Sequence, residues 1–300
     1  MAILNDQDHR KLVAGVDIGG SHITAAIIDT GSRKILPQTL FRSTVDSSLD
    51  APEILNQWLS LIRKSFSSAP DIPSAMGIAM PGPFDYEAGI SLICEQDKFH
   101  SLYGLNIKQW LCRELSFGED QVIFSNDAAC FLQGELYSGA TQPGYPVLGL
   151  TFGTGLGSSI YSEGVTRDAD LWHQPFKTGI AEDFLSARWI MKRYTFLSGK
   201  EAESVKALAE QAENGHDPIA RQVFLEFGKN IAEFVLPLTL QHRIKRVILG
   251  GNIAKAWPLF SSGLIPEIEQ SGCIIEPAAL GEHAALIGSV SFCLQHPVSL

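Results

Sequence analysis

The sequence predicts an α/β protein built from two related halves, and three observations carry that prediction. Apolar strand-like runs alternate with amphipathic helical stretches along the chain, the grammar of an α/β layer architecture. A strand, a glycine turn and a returning strand occur twice, near residues 12–28 and again near 147–161. The 300 residues amount to about two domains, enough chain to bury a core without disulfide or metal staples.

Each element follows from its residues. Leu12 to Ile18 is an apolar run, Gly19-Gly20-Ser21 turns the chain, and Ile23 to Ile28 returns, so the segment reads as a hairpin ending at Asp29-Thr30-Gly31-Ser32. Pro52 to Phe66 reads as a helix, with Ile54, Leu55, Trp58, Leu59, Leu61 and Ile62 on its apolar face and Pro52 in the first turn. Ala75 to Met80 is a buried strand stopped by Pro81-Gly82-Pro83. Val122 to Ser125 is a short strand ending in Asn126-Asp127, and a helix runs from there to about Tyr137. Val147 to Phe152 and Ser158 to Tyr161 are strands joined by Gly153-Thr154-Gly155-Leu156-Gly157.

From Glu182 onward the chain reads as mostly helical. Asp217-Pro218 starts a long helix whose buried face is Ile219, Val223, Phe227, Ile231, Phe234 and Leu238. Arg246 to Leu249 is a strand, Gly250-Gly251 a turn, Ile253 a helix start, and Ala278 to Cys293 an Ala-rich closing helix. No low-complexity linker separates the halves. The domains are expected at 1–124 and 125–300, with the last helix, near 285–296, packing back on the first.

Charge and composition exclude several classes. With 23 Lys+Arg against 33 Asp+Glu the chain carries a net charge of −10, the wrong sign for coating nucleic acid. No apolar run reaches the ~18 residues that span a bilayer, and the polar stretch from Met1 to Lys11 has no apolar leader core. The five cysteines (Cys94, Cys112, Cys130, Cys273, Cys293) form no CxxC pair, so neither a disulfide framework nor a zinc knuckle is encoded. A cytoplasmic protein with reduced, buried thiols is the expectation, without membrane or nucleic-acid partners.

Three glycine turns follow strands: Asp17-Ile18-Gly19-Gly20-Ser21, Thr151-Phe152-Gly153-Thr154-Gly155 and Leu249-Gly250-Gly251-Asn252. Such turns aim backbone N–H groups at phosphate oxygens, although each alone is equally a hairpin or helix entry. No GxxxxGK[ST] is present, because Gly199-Lys200 runs into Glu201, and no GxGxxG fingerprint exists. Asn126-Asp127 at a strand end has two readings. Asp127 suits a general base whose carboxylate takes a hydroxyl proton while Asn126 grips a neighbouring hydroxyl; alternatively either residue caps the following helix.

Taken in order, the Asp17–Ser21 turn, Met80-Pro81-Gly82-Pro83-Phe84-Asp85, Asn126-Asp127-Ala128, Gly153-Thr154-Gly155 and Gly250-Gly251-Asn252 resemble the ROK (repressor/ORF/kinase) sugar-kinase family of the actin-like ATPase superfamily. The resemblance covers about residues 12–292. It implies two actin-like (ribonuclease H-like) domains with a cleft between them, ATP with Mg2+, and a sugar, commonly a hexose. On that footing Asp17 holds magnesium through water, Gly19, Gly20 and Ser21 face the phosphates from one domain, and Gly153, Thr154 and Gly155 face them from the other. Gly250, Gly251 and Asn252 join the nucleotide site. Asp127 becomes the catalytic base, with Asn126, Gly82 and Pro83 at the sugar.

The sugar loop departs from the family pattern. Where the family has Gly-Glu-(apolar)-Gly-His, this chain has Asp170 and His173 at the same spacing, but Asp replaces Glu and Trp172 replaces the second Gly. The shorter acid loses one carbon–carbon bond of reach. The family's zinc-binding cysteine segment is missing: His173 is followed by Gly179-Ile180-Ala181-Glu182 without a cysteine, and a closed zinc site needs four ligands, so no zinc is expected. Glu182 matches the acid ending that segment and is expected at a sugar hydroxyl.

Glucose is the default acceptor, with an N-acetyl-hexosamine or another hexose as alternatives, and polyphosphate is an alternative donor. A catalytically idle sugar binder is the main rival. A sugar-sensing repressor is disfavoured by the few residues before Leu12 and by the acidic charge, and a filament former by the want of any self-assembly signal. A homodimer is expected, although nothing in the residues fixes the oligomeric state.

Overall fold

The computed structural model describes residues 11–94, 99–139 and 143–296; apart from Lys11, the polar N-terminal stretch read above lies outside them. The first half opens with the expected hairpin, β1 (Leu12–Ile18) against β2 (His22–Asp29), in register from Leu12↔Asp29 to Ile18↔Ile23. Two short strands follow, β3 (Lys34–Ile35) and β4 (Phe41–Thr44), both pairing with β2. Helix α1 (Ala51–Ser67) is capped by Asp50, which accepts the Glu53 N–H at 3.1 Å, and it buries the apolar face read from its sequence. Strand β5 (Met76–Met80) is fully buried. A small hairpin, β6 (Phe84–Asp85) with β7 (Ile90–Ser91), and helix α2 (Ile107–Leu115) lead to β8 (Val122–Asn126) and helix α3 (Asp127–Ser138). The sheet order is β3-β2-β1-β5-β8, with β1, β5 and β8 parallel.

The second half repeats the plan. Hairpin β9 (Val147–Phe152) and β10 (Leu156–Ser162) is flanked by β11 (Val165–Asp168). A small hairpin, β12 (Pro175–Phe176) with β13 (Gly179–Ile180), precedes α4 (Ala181–Phe184), α5 (Ala187–Ser198), α6 (Val205–Glu213) and the long α7 (Pro218–Gln241). Then come β14 (Arg246–Gly250), α8 (Trp257–Phe260), α9 (Ile265–Glu269), β15 (Ile274–Pro277) and α10 (Ala284–Gln295). The order β11-β10-β9-β14-β15 matches the main path of the first sheet, which carries β4 in addition: an outer strand, the hairpin, then two parallel strands. Phe152, Phe227 and Phe260 meet edge-on in its core, with ring centroids 5.4 and 5.8 Å apart.

Two readings of the C-terminal third change. Ile253 lies in a 3-10 turn, Asn252–Ala256, and α-helix begins only at Trp257. Residues 278–283 are not α-helical: Ile274–Pro277 pairs parallel with β14, and Ala278 N–H still bonds to Leu249 O at 2.9 Å, which holds the chain on the sheet edge until α10 begins. Among the described residues no helix is long and apolar enough to cross a membrane.

The chain divides into two units, one running to Thr141 and resuming at His283, the other Gln142–Glu282. The division falls beyond the 124/125 boundary read from the sequence because α3 packs with α10 on the first sheet. Their backbones touch. A Cβ on Gly134 would lie 1.9 Å from the Ala284 carbonyl oxygen, and one on Gly288 would lie 1.8 Å from that of Cys130. Gln133 Nε2 adds a buried hydrogen bond to Ser291 Oγ at 2.8 Å. Overpacking of this kind typically costs about 1–3 kcal/mol. Gly288→Ala is therefore expected to lower Tm by several degrees, whereas Gly144→Ala, with nothing within 4 Å, leaves it unchanged; differential scanning calorimetry checks both.

Candidate functional site

In the first unit the strand register gathers the predicted residues. Asp17 pairs with Ala79, Ala79 with Ser125 and Met80 with Asn126, so Asp17 and Asn126-Asp127 stand on one edge, at the carboxyl ends of parallel strands. Ligands of open α/β sheets bind outside that edge. Asn126 is the helix cap: its Oδ1 accepts the Ala129 N–H at 3.0 Å, and its amide donates to Tyr86 Oη at 3.2 Å. Tyr86 in turn donates to the Met80 carbonyl at 3.1 Å. Asp127 follows as the first helical residue, with Oδ1 accepting the Ala128 N–H at 2.9 Å.

One turn further, the fully buried Cys130 lies close to both carboxylates. Burial pushes its thiol well up, and the negative charges of Asp127 and then Asp17 push it further, against a hydrogen bond with Ser125. Gly82 reaches the same group through Tyr86, whose hydroxyl lies 3.3 Å from where a Gly82 Cβ would be, while the Pro83 carbonyl accepts the Leu92 N–H at 3.1 Å. Gly19, Gly20 and Ser21 form the hairpin turn, closed by Gly19 N–H to His22 O at 2.8 Å; the His22 imidazole packs over Gly19.

In the second unit β9 and β14 are parallel with Thr151 opposite Gly250, which sets Gly153-Thr154-Gly155 and Gly250-Gly251-Asn252 on a common edge. Gly251 has φ +80°, and a Cβ there would strike the Phe152 carbonyl oxygen at 2.3 Å, so only glycine fits. Gly153 donates to Gly155 O at 3.0 Å and accepts the N–H of Ala187, at the start of α5, at 2.9 Å. Nothing stands within 4 Å of its Cβ position, so a ligand can approach this backbone.

The sugar loop is wired to that turn. Asp170 sits at φ +50°, with His173 Nδ1 3.5 Å from its Oδ1, and both side chains are more than half exposed. Glu182 accepts the Leu156 N–H at 3.0 Å, packs where a Gly155 Cβ would go, and forms an ion pair with Arg188. The expected sugar ligand Glu182 is thus first a brace for the glycine turn. Each oxygen keeps a further lone pair, and a sugar hydroxyl would be an added partner. Arg188 and Tyr86 went unread in the sequence, as did Lys177. Lys177, at φ +52°, donates to Asn230 Oδ1 at 2.7 Å and pairs with Glu233 at 2.5 Å, pinning the β12–β13 hairpin to α7. Phe176 seals the hairpin against Phe184 and Phe234, 5.6 and 5.4 Å away.

Among the described residues no three His, Cys, Asp or Glu side chains gather as a metal-ligand set. A cavity of 480 Å³ opens elsewhere in this unit, beside Tyr194, Lys200, Gln211 and Asp217, and none of the predicted site residues lines it. There the Tyr194 hydroxyl donates to Asp217 at 2.6 Å and holds that carboxyl below its usual range.

Two sheets of one strand order, each carrying a glycine turn at the carboxyl edge of its parallel strands, define the actin-like α/β fold. The chain belongs to the ROK family, whose family model matches residues 13–168, just over half of it. It is 25% identical to a beta-glucoside kinase of Listeria monocytogenes over 94% of this chain and 97% of that protein. A polyphosphate glucokinase of Mycobacterium tuberculosis is 21% identical over 92% and 88%. The fold matches a ROK family glucokinase from Streptomyces griseus, solved with glucose and AMPPNP, at TM-score 0.76 and 21% identity, over 95% of this chain and 99% of that one.

The Lys177 clamp predicts a local effect. In Lys177→Met, amide hydrogen exchange in the 175–180 hairpin is expected to speed up about tenfold or more while β9 and β14 stay protected, since local opening depends on local contacts.

Proposed function

We propose that this chain is a sugar kinase, a phosphotransferase that moves the γ-phosphoryl group of ATP to a hydroxyl of a hexose or hexoside in the cytoplasm. The observation that carries the reading is the Asn126-Asp127 pair at the end of β8, on the strand edge it shares with Asp17. The kinases of glucose and glucosides among its full-length relatives support it.

The residues fit a bound nucleotide and metal. The backbone at Gly153 is open, and Asp17 offers the hard oxygen donor that magnesium prefers. Bound Mg2+ would neutralise charge on the phosphates. The N–H groups of Gly20 and Ser21, and those of Thr154 and Gly155, hold phosphate oxygens; Gly19 and Gly153 close the two turns with their own N–H groups, and Gly250, Gly251 and Asn252 stand beside the second turn. Asp17 would hold that metal, through water.

Phosphoryl transfer asks mainly for positioning and charge stabilisation. Asp127 accepts the proton of the attacking hydroxyl as the new P–O bond forms. Asn126, its amide fixed by Tyr86 and by the helix cap, holds the ring beside it. Asp170 and His173 take other hydroxyls, with Glu182 beneath them.

A positioned general base contributes typically 10²–10⁴ in rate, roughly 3–5 kcal/mol of barrier. Asp127→Ala is expected to lose about that factor in a coupled ADP-release assay while calorimetry finds sugar affinity within a few-fold. Turnover above about a tenth of wild type would overturn the assignment. The missing cysteine segment adds a second expectation: the purified protein carries no stoichiometric zinc, and a chelator leaves its Tm unmoved. Elemental analysis and a melting scan check both.

A further inference from the structure

Trp172 occupies the middle of the sugar loop and no step of the mechanism uses it. Of the chain's five tryptophans it is the exposed one, at 45%. Leaving an indole in water forgoes the burial that makes Trp one of the most buried residue types on average. Aromatic side chains set beside a few placed polar groups are what line small-molecule sites.

The backbone that carries the ring is held. Its residue's carbonyl accepts the Glu182 N–H at 3.0 Å, Leu171 N–H is fixed to Ser158 Oγ at 2.9 Å, and Gln174 N–H closes back on Leu171 O at 3.1 Å. The indole meets the His173 ring edge-on at 5.1 Å, and His173 in turn meets Asp170. A carboxylate, an imidazole and an aromatic face therefore stand together on one exposed loop. That set has the chemistry of a carbohydrate: hydroxyls for the polar pair, a flat C–H face for the ring.

We infer that Trp172 is a platform for the group attached to the acceptor sugar, so that the preferred substrate is a β-glucoside rather than free glucose. The inference rests on the sugar-kinase reading. With Asp170 and His173 on the phosphorylated ring, a β-linked substituent leaves that ring equatorially and extends onto the neighbouring indole. A monosaccharide ends before it and leaves the face wet. Because the loop is already fixed by its backbone bonds, little ordering cost offsets the contact.

The test compares kcat/KM for cellobiose, phenyl β-D-glucoside and glucose in wild type, Trp172→Phe and Trp172→Ala. Loss of one apolar contact in a specificity pocket changes discrimination about 10–200-fold. The wild type is expected to favour the β-glucosides. Trp172→Ala should lower the glucoside-to-glucose ratio at least about tenfold, mainly through KM, with Trp172→Phe retaining most of it. An unchanged ratio in a variant that still phosphorylates sugars overturns the platform and leaves the kinase reading standing. No phosphorylation of any sugar by the wild type overturns the kinase reading and the platform with it. A shift of Trp172→Ala to a smaller species by light scattering, with the ratio unmoved, would assign the indole to an interface between copies and also overturn the proposal.

Discussion

The backbone contact between α3 and α10 governs the first half of the molecule. Helix α3 begins with Asp127 and is capped by Asn126, so wherever α3 lies, that pair is aimed. Its position is set where Gly134 and Gly288 let the two helices close to carbonyl distance, with Gln133 and Ser291 bonded across the seam. The same glycine logic seats α10 on the sheet, where a Cβ on Gly77 would lie 2.1 Å from the Ser289 carbonyl. Small residues here act at a distance: they place a carboxylate about two turns away.

The parts legible in the sequence were those set by local chemistry. Both glycine-turned hairpins, the Asp217 cap and the Asn126-Asp127 strand end follow from residues adjacent in the chain. Tyr86 and Lys177 were not legible, since their partners lie far along the chain, and Arg188 was not, since its pairing with Glu182, six positions away, matches no helical or strand spacing. Tyr86 meets Asn126 across 40 positions and Lys177 meets Asn230 across 53, and neither carries a local signal. The misread start of the last helix has a related cause. Apolar small residues from Ala278 suit a helix, but pairing of Ile274–Pro277 with β14 keeps the chain extended past the point where propensity alone would coil it.

The sugar loop shows how one side chain can join two duties. Glu182 stabilises the Gly155–Leu156 turn through a backbone N–H and an ion pair, and its own N–H ties down the Trp172 carbonyl. The 153–156 glycine turn and the 168–174 loop of this unit are therefore mechanically one piece. The hairpin beside them is held by an ammonium clamp and three phenylalanine rings.

The first unit draws its residues from both ends of the sequence, and the second is contiguous between them. A chain emerging from the ribosome thus has every strand of the second sheet in hand before α10 exists. The earlier-made sheet must wait, its glycine-lined surface uncovered, until the residues after His283 arrive. Domains usually mature in the order of synthesis; here that order is reversed. The helix that aims Asp127 is locked down last, so an incomplete chain cannot hold the Asn126-Asp127 pair in place, and chaperones would meet the first sheet in its open form.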